Sequence, residues 1–147
     1  MEITESSGNG KILFIINPIA GTKQKHNIHD AILKVFPENS YEVFFTEYGG
    51  HALEIATQKV QEGYKNIVAV GGDGTINEVA SALVNTGCNL GIIPAGSGNG
   101  LARHLGIPVS YTESLKIIRK PKILGIDVGQ VNKRYFFCTC GTGFDAS

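Results

Sequence analysis

Short apolar runs alternate along the chain with stretches in which apolar residues recur every three or four positions. The run at residues 67–70 is rich in β-branched residues, which is typical of a buried strand. Beyond a turn that contains three glycines, the apolar residues at 76, 79, 80 and 83 fall on one face of a helix. Repetition of strand and helix at this spacing predicts a parallel α/β sheet with flanking helices and right-handed crossovers.

The same pattern predicts the remaining elements. We expect strands at residues 11–17, 41–46, 67–70 and 90–93, and helices at residues 29–36, 51–62, 76–84 and 110–120, with another helix from residue 101. The first strand is expected at the centre of the sheet. From residue 122 the pattern changes to two strand-like runs, 122–131 and 134–140, which flank a short turn and predict a β-hairpin. Its open edge could pair with a second copy of the chain, so a homodimer is one expectation.

A glycine-rich turn joins the strand at 67–70 to its helix. Glycines let a ligand approach the main chain closely, and the helix start offers unpaired N–H groups and the positive end of a dipole. Gly71, Gly72 and Gly74 therefore predict a phosphate site. Asp73 is an acid where an anion should bind, so it would hold a metal ion, orient a donor or accept a proton. A structural alternative is a capping box, in which residues 75–78 only close the helix start.

A second glycine-rich turn, at residues 94–100, also follows a predicted strand and precedes a helix. In a parallel sheet both turns lie at the carboxyl edge of the strands, where open α/β folds bind ligands. Two such turns make a phosphate site a stronger prediction than either one alone.

Four motifs together resemble those of the diacylglycerol kinase catalytic domain family, which includes bacterial lipid kinases, sphingosine kinases and ceramide kinases. They are GGDGTINE at 71–78, PAGSGN at 94–99, NPIAG at 17–21, and Thr46 with the Gly-His-Ala at 50–52. The resemblance covers about residues 11–147. NAD kinases and, loosely, phosphofructokinases share GGDGT, and the added Asn77 and Glu78 favour the lipid kinases.

The resemblance implies a phosphofructokinase/NAD kinase-like nucleotide domain that uses ATP and Mg²⁺ to phosphorylate a lipid hydroxyl. It implies that Asp73 is catalytic and assigns no metal ligand. The nucleotide contacts that it implies are Asn17, Pro18, Ile19, Ala20, Gly21, Thr46, Gly71, Gly72, Asp73, Gly74, Thr75, Ile76, Asn77 and Ser97. On the sequence alone, Thr46 is an ordinary β-strand threonine, and His51 near a helix start is read as structural.

Two positions depart from the pattern of many bacterial members. Those members have Thr where this chain has Ser97, and Asp where it has Gly100. Ser97 keeps the hydroxyl, and the PAGSGN form is closer to the sphingosine kinases, so both diacylglycerol and sphingoid lipids remain open as substrates.

The resemblance also divides the chain. We expect a disordered tail at 1–10, the nucleotide domain at 11–121, and the truncated start of a β-rich second domain at 122–147. Such a fragment is expected to bind nucleotide weakly and to turn over little or no lipid. The alternatives are a kinase that acts on NAD, and a nucleotide-binding module without activity of its own.

Composition restricts the partners and the cellular compartment that the sequence predicts. Lys plus Arg and Asp plus Glu both number 13, so the net charge is zero and nothing indicates nucleic-acid binding. The three cysteines lack zinc-site spacing and are read as reduced, which favours the cytoplasm. Because no apolar run approaches the length of a membrane span, a lipid substrate would be met at the inner surface of a membrane by a peripheral protein.

Overall fold

Four parallel strands form the sheet at the centre of the fold. The computed structural model describes residues 10–19, 25–96, 98–120, 129–131 and 134–136. The strands are β1 (Ile12–Ile16), β2 (Tyr41–Phe45), β3 (Asn66–Gly71) and β4 (Asn89–Pro94). Their order is β2-β1-β3-β4, and every pairing is parallel. The predicted parallel sheet is confirmed, and β1 lies inside it as expected.

Helices connect the strands and cover the sheet. They are α1 (Lys25–Val35), α2 (His51–Gln61), α3 (Asp73–Leu83), α4 (Gly100–His104) and α5 (Tyr111–Arg119). The predicted start of α1 at His29 was too late, because residues 25–27 are polar and carry no apolar periodicity. The capping-box alternative for α3 was wrong: the helix starts at Asp73, so Thr75 already lies inside it.

Each face of the sheet buries its own apolar cluster. On one face the sheet packs against α2, α3 and α4, through residues such as Leu13, Ala56, Ile67, Val79 and Leu101. On the other face it packs against α1 and α5, through Phe14, Ile32, Val68, Ile93 and Leu115. Neighbouring strand positions alternate between the two clusters, as the pleat requires. Burial on both faces explains why the strands read as continuous apolar runs.

The carboxyl-terminal part of the chain includes an antiparallel pair, β5 (Gly129–Val131) and β6 (Arg134–Phe136). This pair confirms the predicted hairpin over the residues described. The rest of that hairpin, residues 1–9, Ala20, Gly21, Ser97, Cys138 and Cys140 lie outside the described residues. The division into domains at residue 121 therefore stays a prediction.

Candidate functional site

All four strands end at the same edge of the sheet, and the predicted site residues follow directly. Ile16 pairs with both Phe45 and Val70, and Gly71 pairs with Pro94, so the four strand ends are neighbours. The loop residues that continue from these ends include Asn17, Thr46, Gly72 and Ala95. The register of the sheet thus brings four distant segments of sequence together.

The first glycine turn leads from β3 into α3 and passes from a buried Gly71 through a half-buried Gly72 to an exposed Gly74. Gly72 is the N-cap of α3 and has an extended backbone, with φ −85° and ψ −171°, and no side chain caps the helix. Gly71 is required by packing, because a Cβ there would lie 2.8 Å from the Cβ and Oγ1 atoms of Thr75. The N–H groups of the first helical turn have no carbonyl partner within the helix, so this start is suited to an anion.

The second glycine turn touches the first through the main chain. The Ala95 N–H donates to the Gly71 carbonyl oxygen at 2.8 Å, which extends the pairing of β3 and β4 by one bond. A Cβ on Gly96 would lie 2.5 Å from the Cα of Gly72, closer than any real contact. Glycine at position 96 is therefore what allows the two turns to come together.

Asn99 holds the second turn in shape. Its side-chain Nδ2 donates to the Gly96 carbonyl oxygen at 2.8 Å, and its Oδ1 accepts from the Gly96 N–H at 3.0 Å. The residue is only 2% exposed and adopts φ 54°, in the left-handed region. Sequence reasoning gave Asn99 no role of its own. The signal that could have found it is asparagine after glycine in a turn, since asparagine tolerates this conformation and bonds to nearby main chain.

Asp73 joins the two turns. Its Oδ1 accepts a hydrogen bond from the Gly100 N–H at 2.8 Å. A Cβ on Gly98 would lie 2.8 Å from Oδ2, so that glycine leaves room for the carboxylate. Asp73 is nevertheless exposed, at the first position of α3. This arrangement gives the acid a structural partner at a helix start that is suited to an anion: its carboxylate bonds across to the second turn, and the residue is still exposed to solvent.

Asn17, at the end of β1, bonds to the same helix. Its Nδ2 donates to Thr75 Oγ1 at 3.2 Å, and its Oδ1 accepts from the Ile19 N–H at 3.1 Å. Thr75 is 7% exposed, so its hydroxyl acts mainly within the protein. The structure therefore links the predicted NPIAG and GGDGT motifs directly, through Asn17 and Thr75.

The loop after β2 carries Thr46 and is bonded at several points. The Thr46 N–H donates to the Ile16 carbonyl oxygen at 2.9 Å, and the side chain is largely buried. His51 Nδ1 accepts from the Glu47 N–H at 2.9 Å, and its ring stacks on Tyr48 with centroids 4.4 Å apart. These contacts give His51 a structural role in the loop.

Glu78 contacts this loop rather than its own helix start. Its Oε1 accepts from the Gly50 N–H at 3.0 Å, and Gly50 is the N-cap of α2. Glu78 therefore caps the neighbouring helix. Sequence reasoning assigned it only to a capping box, because a contact between residues 28 positions apart leaves no local pattern.

The remaining residues predicted to contact the nucleotide differ in how far they are exposed. Ile76 is 1% exposed and its N–H donates to the Gly72 carbonyl oxygen at 3.0 Å, so it packs in the core under the turn. Ile19 is 77% exposed, while Gly74 and Asn77 lie on the exposed side of α3. Ala20, Gly21 and Ser97 belong to the residues that are not described.

A small apolar recess of about 40 Å³ lies beside Asn17, towards α1 and α5. Pockets for drug-sized ligands are roughly 300 Å³ or larger, so this recess cannot hold a whole nucleotide. The open main chain of the two turns is the better match to an extended phosphate chain.

The described residues contain no group of three or more His, Cys, Asp or Glu side chains placed to hold a metal ion. Asp73 is a single carboxylate beside the helix start. That setting suits Mg²⁺, which is commonly held by one or two carboxylates, water and substrate phosphates. Over the same residues, no helix has the length and apolar character needed to cross a membrane.

Comparison with known proteins gives consistent matches. The diacylglycerol kinase catalytic domain profile matches residues 11–131. The "Probable lipid kinase YegS" of Escherichia fergusonii is 41% identical over 98 residues, which is 64% of this chain and 33% of that protein. A diacylglycerol kinase of Staphylococcus aureus strain MRSA252 is 35% identical over 127 residues, which is 83% of this chain and 40% of that protein.

Among solved structures, a diacylglycerol kinase from Bacillus anthracis strain Sterne superposes with a TM-score of 0.77 and 29% identity. The match covers 86% of this chain and 45% of that one. The chain thus spans less than half the length of these relatives.

Proposed function

Because the chain belongs to the diacylglycerol kinase catalytic domain family, we propose that the protein phosphorylates a lipid hydroxyl with ATP. In this proposal the described α/β sheet is the nucleotide-binding part. The lipid is of the diacylglycerol or sphingoid type. One observation carries the proposal: the uncapped start of α3 faces a second glycine turn, and Asp73 joins the two through the Gly100 N–H at 2.8 Å.

The residues of the two turns would bind and orient the phosphates. Main-chain N–H groups at the start of α3 donate to phosphate oxygens, and the helix dipole favours negative charge there. Gly74 supports this role, because nothing lies within 4 Å of where its Cβ would be, so a ligand has free access to the main chain. Asn17 fixes the position of the helix start through Thr75.

Asp73 is the residue that we propose to take part in the chemistry. Phosphoryl transfer depends on positioning and on neutralising charge, and ATP with Mg²⁺ supplies the phosphoryl group and part of that neutralisation. A carboxylate at this position would orient metal-bound water or accept the proton of the attacking hydroxyl. The bond from the Gly100 N–H holds the carboxylate in place for either task.

The proposal places the lipid at a membrane surface, met by a peripheral protein on the cytoplasmic side. Since the chain spans less than half the length of its relatives, we expect the 147 residues alone to bind nucleotide and to transfer little or no phosphate to lipid. Pairing of two copies through the β5–β6 hairpin remains part of the proposal.

The test is transfer of labelled γ-phosphate from ATP by the complete protein. Diacylglycerol, sphingosine and ceramide in mixed micelles are offered in parallel with NAD. Label on a lipid and none on NAD is the expected result. Label on NAD alone would replace the proposal with the NAD kinase alternative, and no label on any acceptor would favour a binding module without activity.

A further inference from the structure

Three polar residues of α3 each bond to a different loop at the sheet edge. Asp73 accepts from the Gly100 N–H in the second glycine turn, and Thr75 Oγ1 accepts from Asn17 Nδ2 after β1. Glu78, further along the same helix, accepts from the Gly50 N–H in the loop after β2. The first two contacts belong to the phosphate site already proposed. The third reaches the loop that carries Thr46, which is one of the predicted nucleotide contacts.

We propose that Glu78 is a positioning residue, which fixes the loop of Thr46 against α3 so that Thr46 faces the bound nucleotide. The inference rests on the proposed function and deepens it. It concerns one carboxylate that contacts no nucleotide itself, and it acts through residues 46–50.

The geometry at Gly50 supports this role. Gly50 adopts φ 90°, a conformation open to glycine, and it is the N-cap of α2 without a side chain to cap that helix. The Glu78 carboxylate supplies the missing acceptor, and a negative charge at a helix start is favourable. A bond from an N–H to a carboxylate is stronger than one between neutral groups.

The loop between Thr46 and Gly50 is short and bonded at both ends. At one end the Thr46 N–H donates to the Ile16 carbonyl oxygen in the sheet. At the other end Gly50 is held by Glu78, and the His51 N–H donates to the Tyr48 carbonyl oxygen at 3.2 Å. Loss of the Glu78 bond would remove a direct hydrogen bond between the loop and α3. The loop would still be held to the sheet and to α2, where the Tyr48 hydroxyl donates to Glu54 Oε2 and the Glu54 N–H donates to the Gly50 carbonyl oxygen.

A matched pair of variants separates the effect of side-chain length at position 78 from the effect of its charge. Glu78→Gln keeps an Oε1 acceptor at the same distance without the charge, whereas Glu78→Asp keeps the charge and is one methylene too short. ATP affinity of the 147-residue chain is measured with Mg²⁺ by calorimetry, well below the unfolding midpoint of every variant. We expect Glu78→Asp to weaken binding about tenfold and Glu78→Gln to weaken it by less, since reach is what positions the loop.

A double-mutant cycle with Thr46→Ala tests whether the effect passes through Thr46. We expect Glu78→Asp to cost little further affinity in the Thr46→Ala background, which is the non-additivity of coupled residues. Glu113→Gln, on the exposed side of α5, is the control and should leave affinity unchanged.

Three other outcomes overturn the inference. If wild-type chain binds ATP and Glu78→Asp binds it equally well, Glu78 has no positioning role and the proposed function stands. If the losses from Glu78→Asp and Thr46→Ala simply add, Glu78 does not act through Thr46. If the wild-type chain does not bind ATP, the proposed function fails and the inference fails with it.

Discussion

Asp73 shows how one side chain serves both structure and proposed chemistry. Its Oδ1 accepts from the Gly100 N–H, yet the residue stays exposed at the mouth of the site. An asparagine there would keep an oxygen acceptor for the same bond, while it would lose the charge and the second acceptor oxygen. The two roles can therefore be separated by a single substitution.

We expect Asp73→Asn in the complete protein to lower kcat for lipid phosphorylation by at least about 10²-fold, the lower end of a general acid–base contribution. The thermal midpoint should change little, because the cross-turn bond is retained. Steady-state kinetics with the phosphorylated lipid as readout measure the effect. Unchanged kcat in a folded variant would reduce Asp73 to a structural residue.

Glycine occupies positions 96 and 74 of the site for different physical reasons. At Gly96 an added methyl group would meet the main chain of Gly72 at 2.5 Å, whereas at Gly74 it would meet nothing within 4 Å. Packing therefore requires glycine at position 96. At position 74 packing would allow a side chain, and glycine there leaves the main chain accessible to the proposed ligand.

This contrast predicts opposite effects on stability. Gly96→Ala should lower the free energy of unfolding by about 1–3 kcal/mol, as overpacking does. Gly74→Ala lies within α3 and should be neutral or stabilising by up to about 1 kcal/mol, because alanine is the better helix former. Urea titration of the two variants compares them directly. Equal stability of both would mean that the turns do not touch as described.

At the scale of elements, the end of α2 is fixed to the sheet by a mixed cluster. Lys59 Nζ lies 4.4 Å from the ring centroid of Phe44 in β2 and 2.9 Å from Glu62 Oε2. Tyr64, just before β3, is 3% exposed. Burial, with smaller effects of a hydrogen bond to Glu42 and the charges of Glu42 and Glu62, raises the pKa of Tyr64 to about 12.

The raised pKa of Tyr64 predicts a loss of stability in alkali. Because the pKa lies above its ordinary value of 10.0, the folded state favours the neutral phenol, and the contribution is complete below pH 10. It should be lost as pH rises through the folded pKa of about 12. The free energy of unfolding is measured by urea titration from pH 9 to 12, and Tyr64→Phe is the comparison.

Wild-type protein should lose stability over this range more steeply than Tyr64→Phe, which cannot ionise at position 64. Parallel curves for the two proteins would contradict the raised pKa. The other tyrosines are common to both proteins and cancel in the difference.

For the whole molecule, the sequence predicted what depends on local pattern. Apolar runs such as 67–70, followed by the helical period after Gly74, indicated the α/β sheet. Because parallel strands have their carboxyl ends at the same edge, both glycine turns were expected at one edge of the sheet. The end of α2 was also readable, since Gly63 has φ 100° as a helix-terminating glycine should. These features follow from residues close together in the chain.

Contacts between distant residues could not be predicted in the same way. Glu78 matched a local capping box, and only the packing of α3 beside α2 brings it to Gly50. The bond from the Gly100 N–H to Asp73 likewise joins residues that are 27 positions apart. The geometry of such contacts depends on tertiary structure, so the residue types of the site could be predicted from local pattern, whereas the hydrogen bonds between them could not.

The central claim is that the two glycine turns together bind the phosphates of ATP. Its most direct test is titration of the isotope-labelled 147-residue chain with ATP and Mg²⁺, followed by amide NMR. We predict saturable shifts concentrated at the amides of Gly72, Asp73, Gly74, Gly96 and Gly100, with β5 and β6 unaffected. A folded sample whose turn amides do not respond to millimolar ATP would contradict the account.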